Sequence, residues 1–186
     1  MYFYLDTTSR DFVLALYDKD FNLIDSVYLK EYPKKVHLIV SEFQKMIDKN
    51  QVPFDQILGL MTNLGPGYFT GVRSSLVFFR TLAMTWNVPI FTINSFEILV
   101  QQKPLQKQYY LDAQGSKLFY YENMFDVVDV NKIDVIDSIE VEIDKIDFNH
   151  LIQNMGQYLE KFDNNTDVLD IKPLYVKQPQ IGVKKC

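Results

Sequence analysis

Gly65-Pro66-Gly67-Tyr68-Phe69-Thr70-Gly71-Val72-Arg73 is the stretch on which the reading of this 186-residue chain turns. A short apolar run, Ile57–Met61, precedes it, and apolar residues at helical spacing follow it from Val72 to Trp86. The segment therefore predicts a strand, a flexible turn and a helix whose amides begin near Thr70. It is not a phosphate loop of the Walker type, because five residues separate Gly65 from Gly71 where four are required. Val72-Arg73 also stands where that motif has a lysine and a hydroxyl residue. A dinucleotide fingerprint fails as well, since Thr70 occupies the third glycine position. Two readings stay open: a helix N-terminus that accepts an anion, or glycines that permit close strand–helix packing with Thr70 as N-cap.

Upstream, the runs Tyr2–Leu5, Phe12–Tyr17 and Leu23–Leu29 read as strands, the last two a hairpin around Asp18-Lys19-Asp20. After Pro33, the residues Val36, Ile39, Val40, Phe43 and Ile47 fall on one face of a helix. Downstream, Val88–Ile93 reads as a strand, and Ser95 is placed to cap a short helix through Val100. Strands followed by alternating helices and strands predict an α/β fold, a mixed sheet with helices on its faces. A boundary falls near Lys103-Pro104, giving a first domain over 1–103 and a smaller one over 104–186 whose last residues return to the first. In the second, Gln108–Asp112 and Lys117–Tyr121 predict a hairpin around Gln114-Gly115-Ser116. The acidic stretch from Asp126 to Asp147, with Ile139, Val141 and Ile143 alternating, reads as half-buried strands. Leu151, Ile152, Met155, Tyr158, Leu159 and Phe162 mark one amphipathic helix, and Leu174-Tyr175-Val176 a closing strand.

Composition narrows the function. Hydrophobic residues at 47% and aromatics at 15% support a packed core rather than a disordered chain. The net charge of −5, with lysines scattered, argues against a protein that grips a nucleic-acid backbone unaided. The opening Met1–Asp6 lacks a basic region and meets an acid early, so no signal peptide is expected, and no run is long enough to span a membrane. The single cysteine, Cys186, cannot form an internal disulfide, which fits a cytoplasmic location.

Chemistry is sparse. Asp6-Thr7-Thr8 at the end of the first strand could hold a phosphate, or simply satisfy turn backbone. His37 and His150 have no partners at metal-ligand spacing, so no metal site and no catalytic residue are expected. The second helix is apolar on two sides: Val72, Leu76, Phe79 and Ala83 define one, Val77 and Met84 a strip beside Arg73 and Arg80. Such a helix is either sandwiched in a core or packed against a second chain.

Gly65, Pro66, Gly67, Phe69, Thr70, Gly71 and Arg73 match the signature loop of the TsaB family, also called YeaZ, and the chain resembles that family over most of its length. Asp6-Thr7-Thr8, Asn87-Val88-Pro89-Ile90, Asn94-Ser95-Phe96-Glu97, Asp112-Ala113-Gln114 and Pro173-Leu174-Tyr175-Val176 match in the family's order. The resemblance implies an actin-like ATPase (ribonuclease H-like) fold in two subdomains. It also implies a non-catalytic scaffold subunit of the tRNA threonylcarbamoyladenosine machinery. Its partner would be a homologous catalytic subunit, TsaD, with the ATPase TsaE joining the assembly and tRNA reached only through the complex. The docking surface would be the first two helices, with Val36, Val40, Phe43, Arg73, Val77, Arg80 and Met84 as candidate contacts. No cofactor is implied for this chain alone. ATP or ADP at the partner interface is a candidate ligand, and Asp6, Thr7 and Thr8 are candidate nucleotide contacts. A homodimer is the candidate state of the isolated chain. Three features depart from the family: Lys34-Lys35-Val36 replaces a usual His-Ser pair, Gln114 an arginine, and Thr8 a serine. The alternative function is a degenerate actin-like ATP-binding enzyme, a small kinase or a glycoprotease-like hydrolase.

Overall fold

Alternating apolar residues at the start of the chain become an antiparallel meander, β1 (Tyr2–Asp6), β2 (Phe12–Tyr17) and β3 (Leu23–Leu29). The computed structural model describes residues 1–123, 127–165 and 167–177. β4 (Gly59–Asn63) and β5 (Ile90–Ile93) then add in parallel to β1, each reached by a helical crossover. With β9 (Asp163–Asn165), the resulting six-stranded sheet has the order β3-β2-β1-β4-β5-β9. β1, β2 and β4 are almost wholly buried. A strand covered on both faces loses the strict polar alternation of a surface strand, which is why β2 and β4 read as continuous apolar runs.

One face is covered by α1 (Ile39–Asn50) and α2 (Phe69–Trp86). A 3-10 turn, Lys35–Leu38, leads into α1 and shifts the phase of the helical pattern. Ile39, Phe43, Met46 and Ile47 face the core, whereas Val40 is 65% exposed. The α2 core face is Val72, Ser75, Leu76, Phe79 and Ala83. Phe43 packs edge-on to Phe78 at 5.1 Å and stacks on Trp86 at 6.2 Å, which locks the two helices together. The helix opens at Phe69, three residues before the expected Val72, and Tyr68 rather than Thr70 is its N-cap.

The opposite face is covered from the far end of the sequence. α4 (Phe148–Gln153) and a 3-10 segment, Met155–Lys161, bury Phe148, Leu151, Ile152, Met155 and Tyr158 against Tyr4, Val13, Tyr17, Met61 and Ile93. The expected single helix is thus broken at Asn154 into two helical types. β9 (Asp163–Asn165) then pairs antiparallel with β5. The return to the first unit begins at residue 148, because that apolar stripe is the cover the sheet requires, and continues to Val168 and Ile171, which pack on the other face.

α3 (Ser95–Gln102) is capped by Asn94, whose side chain accepts from the Phe96 and Glu97 amides while Glu97 reaches back to the Asn94 amide. Ser95, expected as the cap, is the first helical residue. The second unit is a three-stranded antiparallel sheet, β6 (Gln108–Asp112), β7 (Lys117–Glu122) and β8 (Asp134–Asp137). Phe96, Leu99 and Val100 of α3 form its core with Tyr109, Phe119, Tyr121 and Ile133, so α3 joins the two units. The strands expected around Ile139, Val141 and Ile143 do not form: Ile139 and Ile143 are 51% and 39% exposed, in irregular chain. Asp144 anchors that stretch by accepting from Lys103 Nζ, Gln106 Nε2 and the Tyr110 amide. Leu174–Val176 is not a strand, although the Leu174 amide donates to Leu64 O at 2.8 Å. Asp126 and the terminal Pro179, Lys184, Lys185 and Cys186 lie outside the described residues.

Candidate functional site

β1 and β4 end side by side, and β5 ends beside β4, so Asp6, Asn63 and the Asn94–Ser95 step gather at one edge of the sheet. In open α/β sheets this carboxyl edge is where ligand clefts form. Asp6 is completely buried. Its Oδ2 accepts from Tyr4 Oη and Asn63 Nδ2, both at 2.9 Å, and its Oδ1 accepts from the Thr8 amide and Thr8 Oγ1 at 2.8 and 2.7 Å. A carboxylate has about four acceptor sites, so this one is saturated by its own chain. Burial and the neighbouring Asp6 charge push the Tyr4 phenol well above its ordinary range, keeping it a donor. Asn63 extends the network: its Nδ2 also reaches Ser95 Oγ at 3.0 Å, and its Oδ1 accepts from the Gly65 amide at 2.8 Å.

The Gly65–Arg73 segment lies directly over this network. Thr7 Oγ1 donates to Gly71 O at 2.7 Å, and the Tyr68 amide donates to Thr8 O at 2.6 Å. A Cβ on Gly71 would stand 1.8 Å from Thr7 O, and one on Gly67 2.5 Å from Thr8 O. These two glycines are therefore required by backbone approach, and Gly65 by a φ of +96°. Asp6, Thr7 and Thr8, expected as nucleotide contacts, are buried with their polar side-chain atoms bonded inside the chain.

Two clefts flank the loop. The larger, about 850 Å³, opens between the units and is lined by Thr8, Arg10, Asp11, Lys30, Gly67 and Asp112 among others. Across it Arg10 Nε donates to Tyr68 Oη at 3.0 Å, and Tyr68 Oη donates to Asp112 Oδ2 at 2.8 Å. Asp11 is held by Tyr28 Oη and the Glu31 amide. The smaller, about 370 Å³, lies at the first turn of α2 beside Lys34, Lys35 and His37. The other histidine, His150, is hydrogen-bonded through Nδ1 to Tyr158 Oη at 2.7 Å. Among the described residues no three His, Cys, Asp or Glu side chains converge as a metal site would require. None of the described helices is long and apolar enough to cross a membrane.

The candidate interface residues divide. Val40, Val77 and Met84 are 65%, 54% and 57% exposed, and Arg73, also exposed, lies over the Phe69 ring at 5.0 Å. Phe43 is 5% exposed and belongs to the core, and Val36 is half-buried, packed against that core. Arg80 is engaged within the chain: its guanidinium donates to Val168 O at 2.9 Å and to Ile171 O, tying the C-terminal segment to α2. The pattern missed Asn63, Ser95 and Lys35. Asn63 carried a usable signal, since it ends a buried strand two residues before a glycine, as a polar residue ends β1.

Comparison with known proteins gives these features a family. Residues 34–178 match the family model described as TsaD, tRNA N6-adenosine threonylcarbamoyltransferase. A relative from Buchnera aphidicola subsp. Schizaphis graminum, described as tRNA threonylcarbamoyladenosine biosynthesis protein TsaB, is 29% identical over 61% of this chain and 54% of its own length. The chain thus spans about half of that relative. Two Pseudomonas aeruginosa structures share the fold. One, described as an uncharacterized protein with similarity to peptidase YeaZ, has a TM-score of 0.58 at 18% identity, covering 77% of this chain and 69% of that one. The other, YeaZ, has a TM-score of 0.54 at 19% identity, covering 74% and 64%. The mixed sheet with flanking helices is accordingly an actin-like, ribonuclease H-like α/β fold. The chain belongs to the family of that model, TsaD, tRNA N6-adenosine threonylcarbamoyltransferase, and is similar to the TsaB and YeaZ proteins described above.

Proposed function

We propose that this chain is a scaffold subunit of the tRNA threonylcarbamoyladenosine machinery that docks on a catalytic TsaD homologue and performs no transfer itself. The observation that carries the reading is the outward face of α1 and α2, where Val40, Val77 and Met84 lie exposed on helices whose inner faces are buried in the core. Exposed apolar side chains on adjacent, rigid helices suit a partner helix pair better than water. Arg73 supplies a charge at the rim. The saturated Asp6 carboxylate supports a structural rather than a catalytic role for the sheet edge. The relative from Buchnera belongs by its name to the same biosynthesis. With a net charge of −5, the chain meets tRNA only through the complex. The TsaE ATPase is a further partner in this reading, ATP or ADP at the partner interface is a candidate ligand, and the location is the cytoplasm.

The experiment is reconstitution of tRNA modification from TsaD homologue, TsaE homologue and substrates, with and without this chain. Modification that depends on the chain supports the reading; full modification without it overturns it. The cleft of about 850 Å³ keeps a second reading open, a degenerate ATP-binding enzyme. ATP hydrolysis by the isolated chain that falls with Asp11→Asn would favour that one.

A further inference from the structure

Lys35 sits in the 3-10 turn before α1, is only 7% exposed, and has an ammonium with no hydrogen-bond partner among the described residues. A buried ammonium offers three donors, and leaving them unmet is costly. Its Nζ lies 5.4 Å from the centre of the Tyr68 ring, which offsets part of that cost. Its Cε is 3.6 Å from where a Cβ on Gly71 would be, so the side chain reaches the first turn of α2. Asp6 and Asp11 attract it through space, but neither forms an ion pair with it, and their oxygens accept hydrogen bonds elsewhere.

The first turn of α2 is also unmet. No side chain caps it. The Tyr68 amide is taken by Thr8 O, and the first helical bond runs from Val72 N to Tyr68 O at 3.0 Å. The amides of Phe69, Thr70 and Gly71 come before that bond, at the positive end of an 18-residue helix. Lys35 and these first-turn residues line one cleft of about 370 Å³, together with Lys34 and His37. A cavity of that size exceeds a bare phosphate and falls in the range of small-molecule sites.

We propose that this cleft binds the phosphate group of a small phosphorylated ligand, with Lys35 Nζ and the Thr70 and Gly71 amides as its donors. Helix N-termini accept phosphate through amide hydrogen bonds and the dipole, and a buried lysine adds a full charge. The site stands on the far side of the glycine-rich loop from the larger cleft, and it is independent of whether α1 and α2 dock on a partner.

The test is titration of the ¹⁵N-labelled chain with inorganic phosphate and, separately, with adenosine monophosphate, against potassium chloride at matched ionic strength. The expected result is saturable movement of the Thr70 and Gly71 amide resonances, weakened roughly tenfold or more in Lys35→Met. Tighter binding of the nucleotide would identify an organic phosphate as the ligand, and equal binding the free anion; either supports the site. The proposal is overturned if neither probe moves these amides, if the movement maps to the larger cleft, or if Lys35→Met binds as tightly as the parent. Should that variant fold poorly, the location of the shifts in the parent protein still decides.

Discussion

Replacing Gly71 by alanine puts a methyl carbon 1.8 Å from the carbonyl oxygen of Thr7, where ordinary contact begins at 3.4 Å. The start of α2 must then lift from the β1–β2 turn by about 1.6 Å, the difference between those two distances. That movement breaks the Thr7 Oγ1–Gly71 O bond of 2.7 Å and stretches the Tyr68 N–Thr8 O bond of 2.6 Å. Forced overpacking costs about 1–3 kcal/mol, and each lost hydrogen bond about 1 kcal/mol. Alanine returns about 1 kcal/mol as the better helix former. Strain wins: the net loss is about 3 kcal/mol, or a fall in Tm of roughly 6–12 °C for a chain of this size. Urea and thermal unfolding followed by circular dichroism would measure it. Gly156→Ala is the control, because nothing lies within 4 Å of its added Cβ, and its stability should stay within about 0.5 kcal/mol of the parent. If Gly71→Ala matches that control, the close approach of helix and turn described above is wrong.

Asp6→Asn replaces one of two acceptor oxygens with a donating NH2 where four donors converge; urea denaturation should show a loss of about 2–4 kcal/mol. Burial lowers the Lys35 ammonium from 10.5 to about 8. Between those values the unfolded chain binds more protons than the folded one, so the Lys35 contribution to stability rises with pH across that window. In phosphate-free buffer Lys35→Met should therefore exceed the parent by about 3 kcal/mol at pH 7, a gap that closes by pH 10.5; a constant gap would show that the ammonium is not desolvated beside Tyr68, Asp6 and Asp11. Arg80→Met frees the Val168 and Ile171 carbonyls. Limited proteolysis should then cut within 167–177 at least several-fold faster, with the helical signal unchanged.

Strong local patterns were legible in the sequence. The meander, α2 and the β6–β7 hairpin each carry a period or turn chemistry that tertiary context did not override. Boundaries went astray where a neighbour decided them. Tyr68 caps α2 because its own amide is held by Thr8, a contact between residues distant in sequence. Asn94 displaced Ser95 as a cap because Asn63 takes the serine hydroxyl. The helical period groups Val40 on one face with Phe43 and Ile47, whereas the 3-10 turn at Lys35–Leu38, invisible to a uniform helical period, sets it apart from them as exposed. β9 could not be read at all: Asp163-Asn164-Asn165 is polar, and only an edge of the sheet makes it a strand. At the site, Asp6-Thr7-Thr8 was found, and of its two readings, phosphate contact or satisfied turn, the hydrogen bonds fit the second. A sequence shows which groups could bind a ligand, not which are already consumed by Tyr4 and Asn63.

The central claim is that the outward face of α1 and α2 is a docking surface. Val77→Glu and Met84→Glu place a charge at positions 54% and 57% exposed, so each variant should fold within about 0.5 kcal/mol of the parent. At a closed interface the same carboxylate would be buried without a partner, at a cost of several kcal/mol. Size-exclusion chromatography of the purified chain with the TsaD homologue from the same cell measures this directly. The account predicts one co-eluting peak for the parent and separate peaks for both folded variants. Co-elution that survives both substitutions, or a parent chain that pairs only with itself, would contradict it.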